Sequence, residues 1–292
     1  MPGFTACHDG RLIDLLREAY PDWRPSTLKA RLRGGLVTVG GVTRRSGAME
    51  VSAGDEVEVA NRDRGGPLPR RLGEPPLPVL YYDRHLVAVD KPSGLLSVAS
   101  GREKRETAIR FMRDWLGMAC PEDRDALHAA HRLDRDASGV LLFARSLSLK
   151  RKLASEWHSF VKEYVALVDG VPKLPEGRID LPLWEDKGLF VRVDERGGGK
   201  PAETFYQTLA SRKGRSLLAV RLGTGRKHQI RVHLAAIGCP VAGDSRYGKS
   251  RAPRLALHAA RLTLAHPVDG AKLLIESPAP AFFRRGLDQG KA

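Results

Sequence analysis

The sequence is poor in cysteine and lacks any long apolar run. Its three cysteines, Cys7, Cys120 and Cys239, are scattered without a CxxC pair, so neither a disulfide framework nor a cysteine zinc site is expected. No stretch approaches the roughly 20 apolar residues that a membrane span requires. The amino terminus, MPGFTACHDG, also lacks the basic and then apolar order of a signal peptide. These absences predict a cytoplasmic protein without a membrane partner.

Acidic residues are the second shortage. The chain has 49 Lys and Arg against 34 Asp and Glu, which gives a net charge of +15. Such an excess favours a polyanionic partner, because binding to nucleic acid releases condensed counterions. Charge alone leaves open an anionic membrane, or a basic composition that serves only solubility. The distribution of the charge along the chain therefore has to decide.

A segment rich in Pro, Gly and Arg divides the chain of 292 residues, which is long enough for two domains. Residues 61–78 are predicted to be a linker, because their composition does not favour regular structure. Residues 8–60 then form a small N-terminal domain, and residues 79–286 form the larger catalytic domain.

The N-terminal segment concentrates cations in a defined pattern. Helices are predicted over 11–17 and over 26–33, with Ser26 as the N-cap, followed by a hairpin over 36–43 and a strand over 54–59. This order resembles the alpha-L RNA-binding module. The resemblance implies a basic face that follows a phosphate backbone without reading bases. The six cations between positions 24 and 49, where no carboxylate occurs, are Arg24, Lys29, Arg31, Arg33, Arg44 and Arg45.

Downstream of the linker, helices and strands are interspersed without a regular βαβ order or a Gly-rich phosphate loop. Paired strands over 79–91 and a buried strand over 139–145 accompany a helix over 107–118. An amphipathic helix is predicted over 147–159, and another after Gly225. The pattern predicts an α+β fold rather than a dinucleotide-binding one. Further strands are predicted over 163–169 and 216–222, and near 255–264.

Two polar clusters contain the candidate chemistry. HRLDRDASG (131–139) leads directly into an apolar strand, so Asp134 is held by a rigid core while it faces a cleft. In the second cluster (222–248), Ile230, Leu234 and Ile237 form one apolar stripe of a helix that Gly238 ends. Arg231 lies one residue off that stripe, where its guanidinium can pair with a carboxylate.

Six collinear motifs give the chain its clearest resemblance. They are DKPSGLL (90–96), HRLDRDASGVLLFAR (131–145), KEYVALV (162–168), GKPAETFY (199–206), TGRKHQIRVHLAAIGCPVAGDSRYG (224–248) and LHAARLTLAHP (257–267). In this order they resemble the RluA-type pseudouridine synthases. The resemblance implies a catalytic domain built on a mixed, mostly antiparallel sheet with flanking helices. Ala137 departs from the pattern, since the family usually has Thr there.

The resemblance also implies the roles of individual residues. Asp134 is the catalytic aspartate, Tyr164 the active-site tyrosine, Arg231 the partner that lowers the aspartate's pKa, and Ile230 the apolar residue beneath the base. The uridine-to-pseudouridine isomerisation conserves atoms and requires no cofactor. Asp134 can stabilise the cationic sugar, add to it, or remove a sugar proton. Further substrate-binding residues are predicted at Arg132, Arg135, Arg226, Lys227 and Gln229.

Partner and rival interpretations complete the sequence analysis. The substrate is expected to be RNA, with ribosomal RNA favoured over tRNA, and the protein to be a monomer. A rival metal site uses His128, His131 and Asp134 at helical spacing, with His228 and His233 in the other cluster. The first segment leads into a strand, however, and the set lacks a complete ligand shell. A second rival is a catalytically silent RNA-binding assembly factor, against which the intact Asp134, Tyr164 and Arg231 argue.

Overall fold

The computed structural model describes residues 3–21, 23–33, 37–40, 42–44, 46–59, 73–100, 106–119, 126–195, 197–249 and 252–289. The chain divides into two compact units, Met1–Pro67 and Leu68–Ala292. The division falls inside the segment that the sequence predicts as a linker.

The first unit packs two helices against a small sheet. Antiparallel strands in the order β1-β6-β3-β4 form this sheet, and a separate pair, β2 and β5, completes the unit; their bounds are given below. Leu12, Leu16 and Leu28 from the helices meet Val37 and Val57 from the strands in one buried cluster. The elements are β1 (Gly3–Thr5), β2 (Gly10–Arg11), α1 (Leu12–Ala19), α2 (Pro25–Arg33), β3 (Val37–Val39), β4 (Val42–Arg44), β5 (Glu50–Val51) and β6 (Glu56–Val59).

The prediction that Ser26 is the N-cap of the second helix is wrong. Helix α2 begins at Pro25, so Ser26 lies inside its first turn. The Arg24 carbonyl accepts from the amides of Thr27 and Leu28, at 2.8 and 3.3 Å. Proline is favoured as the first helical residue because its fixed φ suits the helix and its missing N–H would have had no helical partner.

The second unit contains the candidate chemistry. Its first elements are β7 (Val79–Tyr82), β8 (Leu86–Lys91), α3 (Ala108–Ala119), β9 (His128–Ala129), β10 (Ser138–Ala144), α4 (Leu147–Glu156) and β11 (Val161–Asp169). The remainder are β12 (Glu176–Asp180), β13 (Leu183–Glu185), β14 (Val191–Val193), β15 (Glu203–Arg212), β16 (Arg215–Leu222), α5 (Gln229–Ala236), β17 (Leu257–Ala265), β18 (Lys272–Glu276) and α6 (Phe282–Gln289).

One mixed sheet organises this unit, as the sequence predicted. Within the described residues it has ten strands, in the order β12-β15-β16-β11-β17-β10-β8-β7, with β18 paired to β17 and β9 to β10. The pairing of β10 with β17 is parallel, and the other pairings of named strands in this sheet are antiparallel. Strands β10, β11 and β17 therefore lie side by side at its centre.

Strand β10 is buried on both faces, which explains its uninterrupted apolar sequence. Leu141 and Phe143 face a cluster that includes Trp115 of α3, whereas Val140 and Leu142 face one that includes Leu153 of α4. Because successive side chains point to opposite faces, a strand between two helical layers has no solvent-facing position. The segment before β10 is therefore anchored by a rigid strand.

The sequence did not predict β12–β15, β18 or α6. Strand β15 has no regular alternation of buried and exposed side chains, so period-2 reasoning had no signal to use. The predicted helix over 147–159 is instead α4 followed by a 3₁₀ turn, Trp157–Ser159. Among the described residues, no helix combines the length and apolarity needed to cross a membrane.

We predict that Gly139→Ala destabilises the protein by roughly 2–5 kcal/mol, because two penalties coincide there. Gly139 has φ +110°, and a Cβ at this position would overlap the backbone O and N of Ala259 on β17. Urea unfolding measures the loss. Gly198→Ala is the matched control, since a Cβ there meets nothing within 4 Å. Equal midpoints for the two variants would contradict the proposed close approach of β10 and β17.

Candidate active site

Asp134 lies in the turn that leads into β10, and this turn is held mainly through its backbone. The Ala137 amide donates to the Asp134 carbonyl at 3.2 Å. The Ser97 hydroxyl donates to the Leu133 carbonyl and accepts from the Leu133 amide, at 2.9 Å in both cases. The Asp134 side chain is 24% exposed, so its carboxylate is partly open to solvent while its backbone is fixed.

A second clamp on this turn comes from Lys91, at the end of β8. Its side chain is fully buried, and its Nζ donates to the carbonyls of Pro92, Leu95 and Arg135 at 2.8–3.0 Å. Burial lowers the pKa of Lys91 to about 8, although the nearby carboxylates, among them Asp134, oppose the shift. The ammonium therefore joins the 91–95 segment to Arg135, the residue that follows Asp134.

Arg231, on the first turn of α5, pairs with two carboxylates. Its Nη1 donates to Asp134 Oδ2 at 3.0 Å, while its Nε and Nη2 donate to Asp244 Oδ2 and Oδ1 at 2.7 and 2.8 Å. The Asp244 side chain has no exposed surface. Burial alone would lower the pKa of Arg231, but the two carboxylates, Asp244 above all, raise it above its ordinary value. The guanidinium is therefore charged and has a fixed orientation.

Tyr164 and Ile230 line the same cavity as Asp134 and Arg231. The cavity has a volume of about 660 Å³, which is within the usual range for a small-molecule or nucleotide site. Burial, followed by the negative charge of Asp134, raises the pKa of Tyr164 well above its usual value. The phenol consequently stays protonated at neutral pH, and its ring offers a flat surface for a base.

His228 also lines this cavity, and from the sequence it was considered only for the rival metal site. It has φ +54°, a strained conformation for a residue with a side chain, and directly precedes α5. Its Nε2 lies 3.9 Å from Asp134 Oδ1, and its Nδ1 lies 2.9 Å from the Tyr247 hydroxyl. Burial lowers the pKa of His228 despite the attraction of Asp134. The strained backbone places the imidazole beside the Asp134 carboxylate.

The predicted substrate-binding residues also line the cavity, but their side chains are used differently. Arg132 and Arg226 are exposed, and so is Arg135, whose Nε donates to the Gly94 carbonyl. Lys227 donates to Glu185 Oε1 and to the Leu189 carbonyl.

Gln229 is almost completely buried, and its amide is fully engaged. It donates to the Glu203 carbonyl and Thr204 Oγ1 and accepts from the Arg226 amide and Thr224 Oγ1. These four bonds use its two donors and two acceptor positions. The geometry favours a role in holding the turn before α5 over the predicted substrate contact.

The predicted cations of the first unit are described only in part. Arg24 and Lys29 are exposed, and the Arg31 guanidinium lies 4.1 Å from the centroid of the Trp23 ring. Arg44, on β4, is half-buried. The Arg33 side chain and Arg45 lie outside the described residues.

His128 and His131, proposed as metal ligands in one rival interpretation, occupy different settings. His128 belongs to β9, whereas His131 Nε2 accepts from the Leu142 amide at 3.0 Å. Within the described ranges, no group of three or more His, Cys, Asp or Glu side chains is arranged to hold a metal ion.

Asp244 and Lys91 are the positioning residues that the sequence analysis missed. Both residues lie inside motifs that the resemblance includes, GDSRYG and DKPSGLL, so the sequence did mark these segments as important. Their partners lie 13 and 44 residues away in sequence, however, and no local pattern reveals such pairings. Ala137 is buried in the core, and the turn before β10 keeps its backbone hydrogen bond without the hydroxyl of the usual Thr.

An aspartate paired with an arginine, beside a protonated tyrosine in a nucleotide-sized cavity, fits chemistry on a sugar and its base. Residues 85–236 match the RNA pseudouridylate synthase family, which is 52% of the chain by length. This chain belongs to the RluA-type branch of that family and isomerises uridine to pseudouridine in RNA.

Individual relatives agree with this assignment. The ribosomal large subunit pseudouridine synthase D of Nitrosomonas europaea is 32% identical over 284 residues, which cover 92% of this chain and 81% of that protein. The dual-specificity RNA pseudouridine synthase RluA of Salmonella typhi is 38% identical over 218 residues, covering 70% and 94%. The solved structure of human RNA pseudouridylate synthase domain containing 4 superposes with a TM-score of 0.59 at 25% identity, covering 71% and 90%.

We predict that Arg231→Lys lowers kcat by about 100-fold while the protein remains folded. Lysine keeps the positive charge, but it cannot bond to Asp134 and Asp244 through one rigid fork, and small misplacements of catalytic groups have effects of this size. Tritium release from C5-labelled uridine RNA measures kcat, and circular dichroism monitors the fold. Wild-type rates throughout the neutral pH range would rule out the ion-pair argument.

Asp244→Asn is expected to lower kcat about 10- to 100-fold with little change in KM, because Arg231 loses its bidentate, charged anchor. Asparagine preserves the shape and can still accept from the amides of Arg246 and Tyr247, which Asp244 Oδ1 now binds at 2.9 and 3.1 Å. Asp288→Asn is the control, since Asp288 forms an exposed pair with Arg212. Equal kcat values for both variants would disprove the positioning role.

Proposed function

We propose that this enzyme acts as a monomer on specific uridines of large-subunit ribosomal RNA, with Asp134 as its catalytic carboxylate. The observation that carries the proposal is the contact of Asp134 Oδ2 with Arg231 Nη1 at 3.0 Å, in a side chain that remains 24% exposed to the cavity. Arg231 offsets the cost of holding a negative charge in a partly dry site. The second oxygen, Oδ1, is then left to face the substrate.

The reaction requires a negative charge at the sugar. The N1–C1′ bond breaks, the uracil turns, and a C1′–C5 bond forms; C5 then loses its hydrogen as a proton and N1 gains one, so atoms balance. Departure of the base develops positive charge at C1′, a situation that glycosidases also meet with a carboxylate. Asp134 supplies that carboxylate, and Arg231 fixes its orientation throughout the turnover.

The base itself is held by Tyr164 and Ile230 in this proposal. A uridine in a helix must leave its stack to enter the cavity, which costs a few kcal/mol, so loops and disrupted helices are the natural substrates. The Tyr164 ring replaces part of the lost stacking. Its hydroxyl, which stays protonated at neutral pH, donates to a carbonyl of the uracil.

The preference for ribosomal RNA rests on two supports. The Nitrosomonas europaea relative is a ribosomal large subunit pseudouridine synthase by name. The N-terminal unit, proposed as an alpha-L module over residues 8–60, exposes Arg24 and Lys29 to a phosphate backbone. In this organisation 61–78 is the linker and 79–286 the catalytic domain. The second candidate substrate is tRNA, which the dual-specificity name of the Salmonella typhi relative favours.

We predict that Asp134→Ala abolishes tritium release from C5-labelled uridine RNA without unfolding the protein, because the reacting carboxylate is removed and Arg231 keeps its pair with Asp244. Mapping pseudouridine in total RNA, with and without the gene, identifies the target positions. Asp136→Asn is the matched control: it is an exposed carboxylate of the same loop, and it should retain activity within about threefold. Full activity of Asp134→Ala would refute the catalytic assignment.

A further inference from the structure

The cavity has a second group of lining residues beside the catalytic ones. His131, Ala154, Trp157 and Lys162 line it together with Asp134 and Tyr164. The rings of His131 and Trp157 stack with centroids 4.7 Å apart, so they form a flat wall. The uracil contacts described above use Tyr164 and Ile230 and leave this wall and Lys162 without a role.

Lys162 is the charged member of this second group. It lies on β11 two residues before Tyr164, and the side chains of both residues line the cavity. The residue is only 6% exposed, and its Nζ donates to the Trp157 carbonyl at 3.1 Å. Among the described residues, no carboxylate lies within ion-pair distance of this ammonium.

A buried ammonium with a single carbonyl partner is an unfavourable arrangement for the free protein. Burial lowers the pKa of Lys162, and a charge without a counter-ion is costly to keep from water. His131 does not offset the charge, because it accepts from a backbone amide and its pKa is lowered to about 4 by burial. An anion that enters the cavity would remove this penalty.

We propose that Lys162 forms an anion subsite that binds a backbone phosphodiester of the RNA directly beside the target uridine. This inference rests on the proposed function. Lys162 and Tyr164 line one cavity, so a base held against Tyr164 and a phosphate of the adjoining backbone could both be bound there. Lys227, by comparison, already pairs with Glu185 at the cavity's edge. Lys162 has no such competitor, so its full charge is available to the substrate.

The test combines a variant with a modified substrate. The RNA is a fragment that contains one target uridine found by the mapping experiment, with a neutral methylphosphonate at its 5′ or its 3′ linkage. We expect Lys162→Met to raise KM at least tenfold while kcat stays within threefold of the wild-type value. The slope of log KM against log salt concentration should fall by about 1. One of the two methylphosphonate RNAs should also raise the KM of the wild-type protein at least tenfold. The same RNA should raise the KM of Lys162→Met less than twofold. Lys162→Arg should restore most of the affinity.

Lys152→Met is the matched control. Lys152 also donates from its Nζ to a backbone carbonyl, that of Pro267, but it does not line the cavity. Its KM should equal that of the wild type. A purely structural role for Lys162 would lower the melting temperature and leave the salt slope unchanged, and this result would overturn the subsite.

The modified RNAs also decide the matter without any variant. If Lys162→Met does not fold, an unchanged wild-type KM for both methylphosphonate RNAs overturns the proposal. If the variant does fold, the proposal is overturned when the effects of the variant and of the methylphosphonate on KM are additive. Failure of the proposed function has a different signature, since the mapping experiment would then find no target in large-subunit ribosomal RNA, or Asp134→Ala would keep full activity.

Discussion

The structure of the site depends on one guanidinium shared by two carboxylates. Arg231 uses its Nε and Nη2 to hold Asp244, which is completely buried, and this leaves Nη1 for Asp134, which is not. The pair with Asp244 fixes the direction of the third hydrogen bond, so Asp134 meets a preorganised positive charge. Without that anchor the flexible arginine would lose conformational freedom each time it paired with Asp134.

Strand β11 and helix α5 bring the rest of the site to this pair. Tyr164 and Lys162 lie on the central strand β11 and line the cavity, while Ile230 and Arg231 occupy adjacent positions at the start of α5. Because β11 lies beside β17, which in turn pairs with β10, the strand that follows Asp134 and the strand of Tyr164 belong to one rigid sheet. The position of Tyr164 and the anchor of the turn that carries Asp134 therefore depend on one sheet.

The sequence predicted the central strands and the pairing of Asp134 with Arg231, but it did not predict the supports of that pair. The uninterrupted apolar run before Arg145 and the helical spacing of the Ile230 stripe are patterns that one sequence is enough to reveal. Asp244 and Lys91 act through partners distant in sequence, and burial of a charge cannot be read from a local pattern. The irregular exposure of β15 hid that strand, and Pro25 began a helix that Ser26 was expected to cap.

The turn that carries Asp134 is fastened through main-chain groups: Lys91 binds the carbonyl of Arg135, the Ser93 hydroxyl binds that of Asp136, and Ser97 binds both backbone groups of Leu133. Fastening of this kind does not depend on which side chains the turn carries. Arg132 and Asp136, both exposed, can therefore be exchanged during evolution without moving the catalytic carboxylate. The side chains of this turn can therefore change while the position of Asp134, and with it the reaction, stays the same.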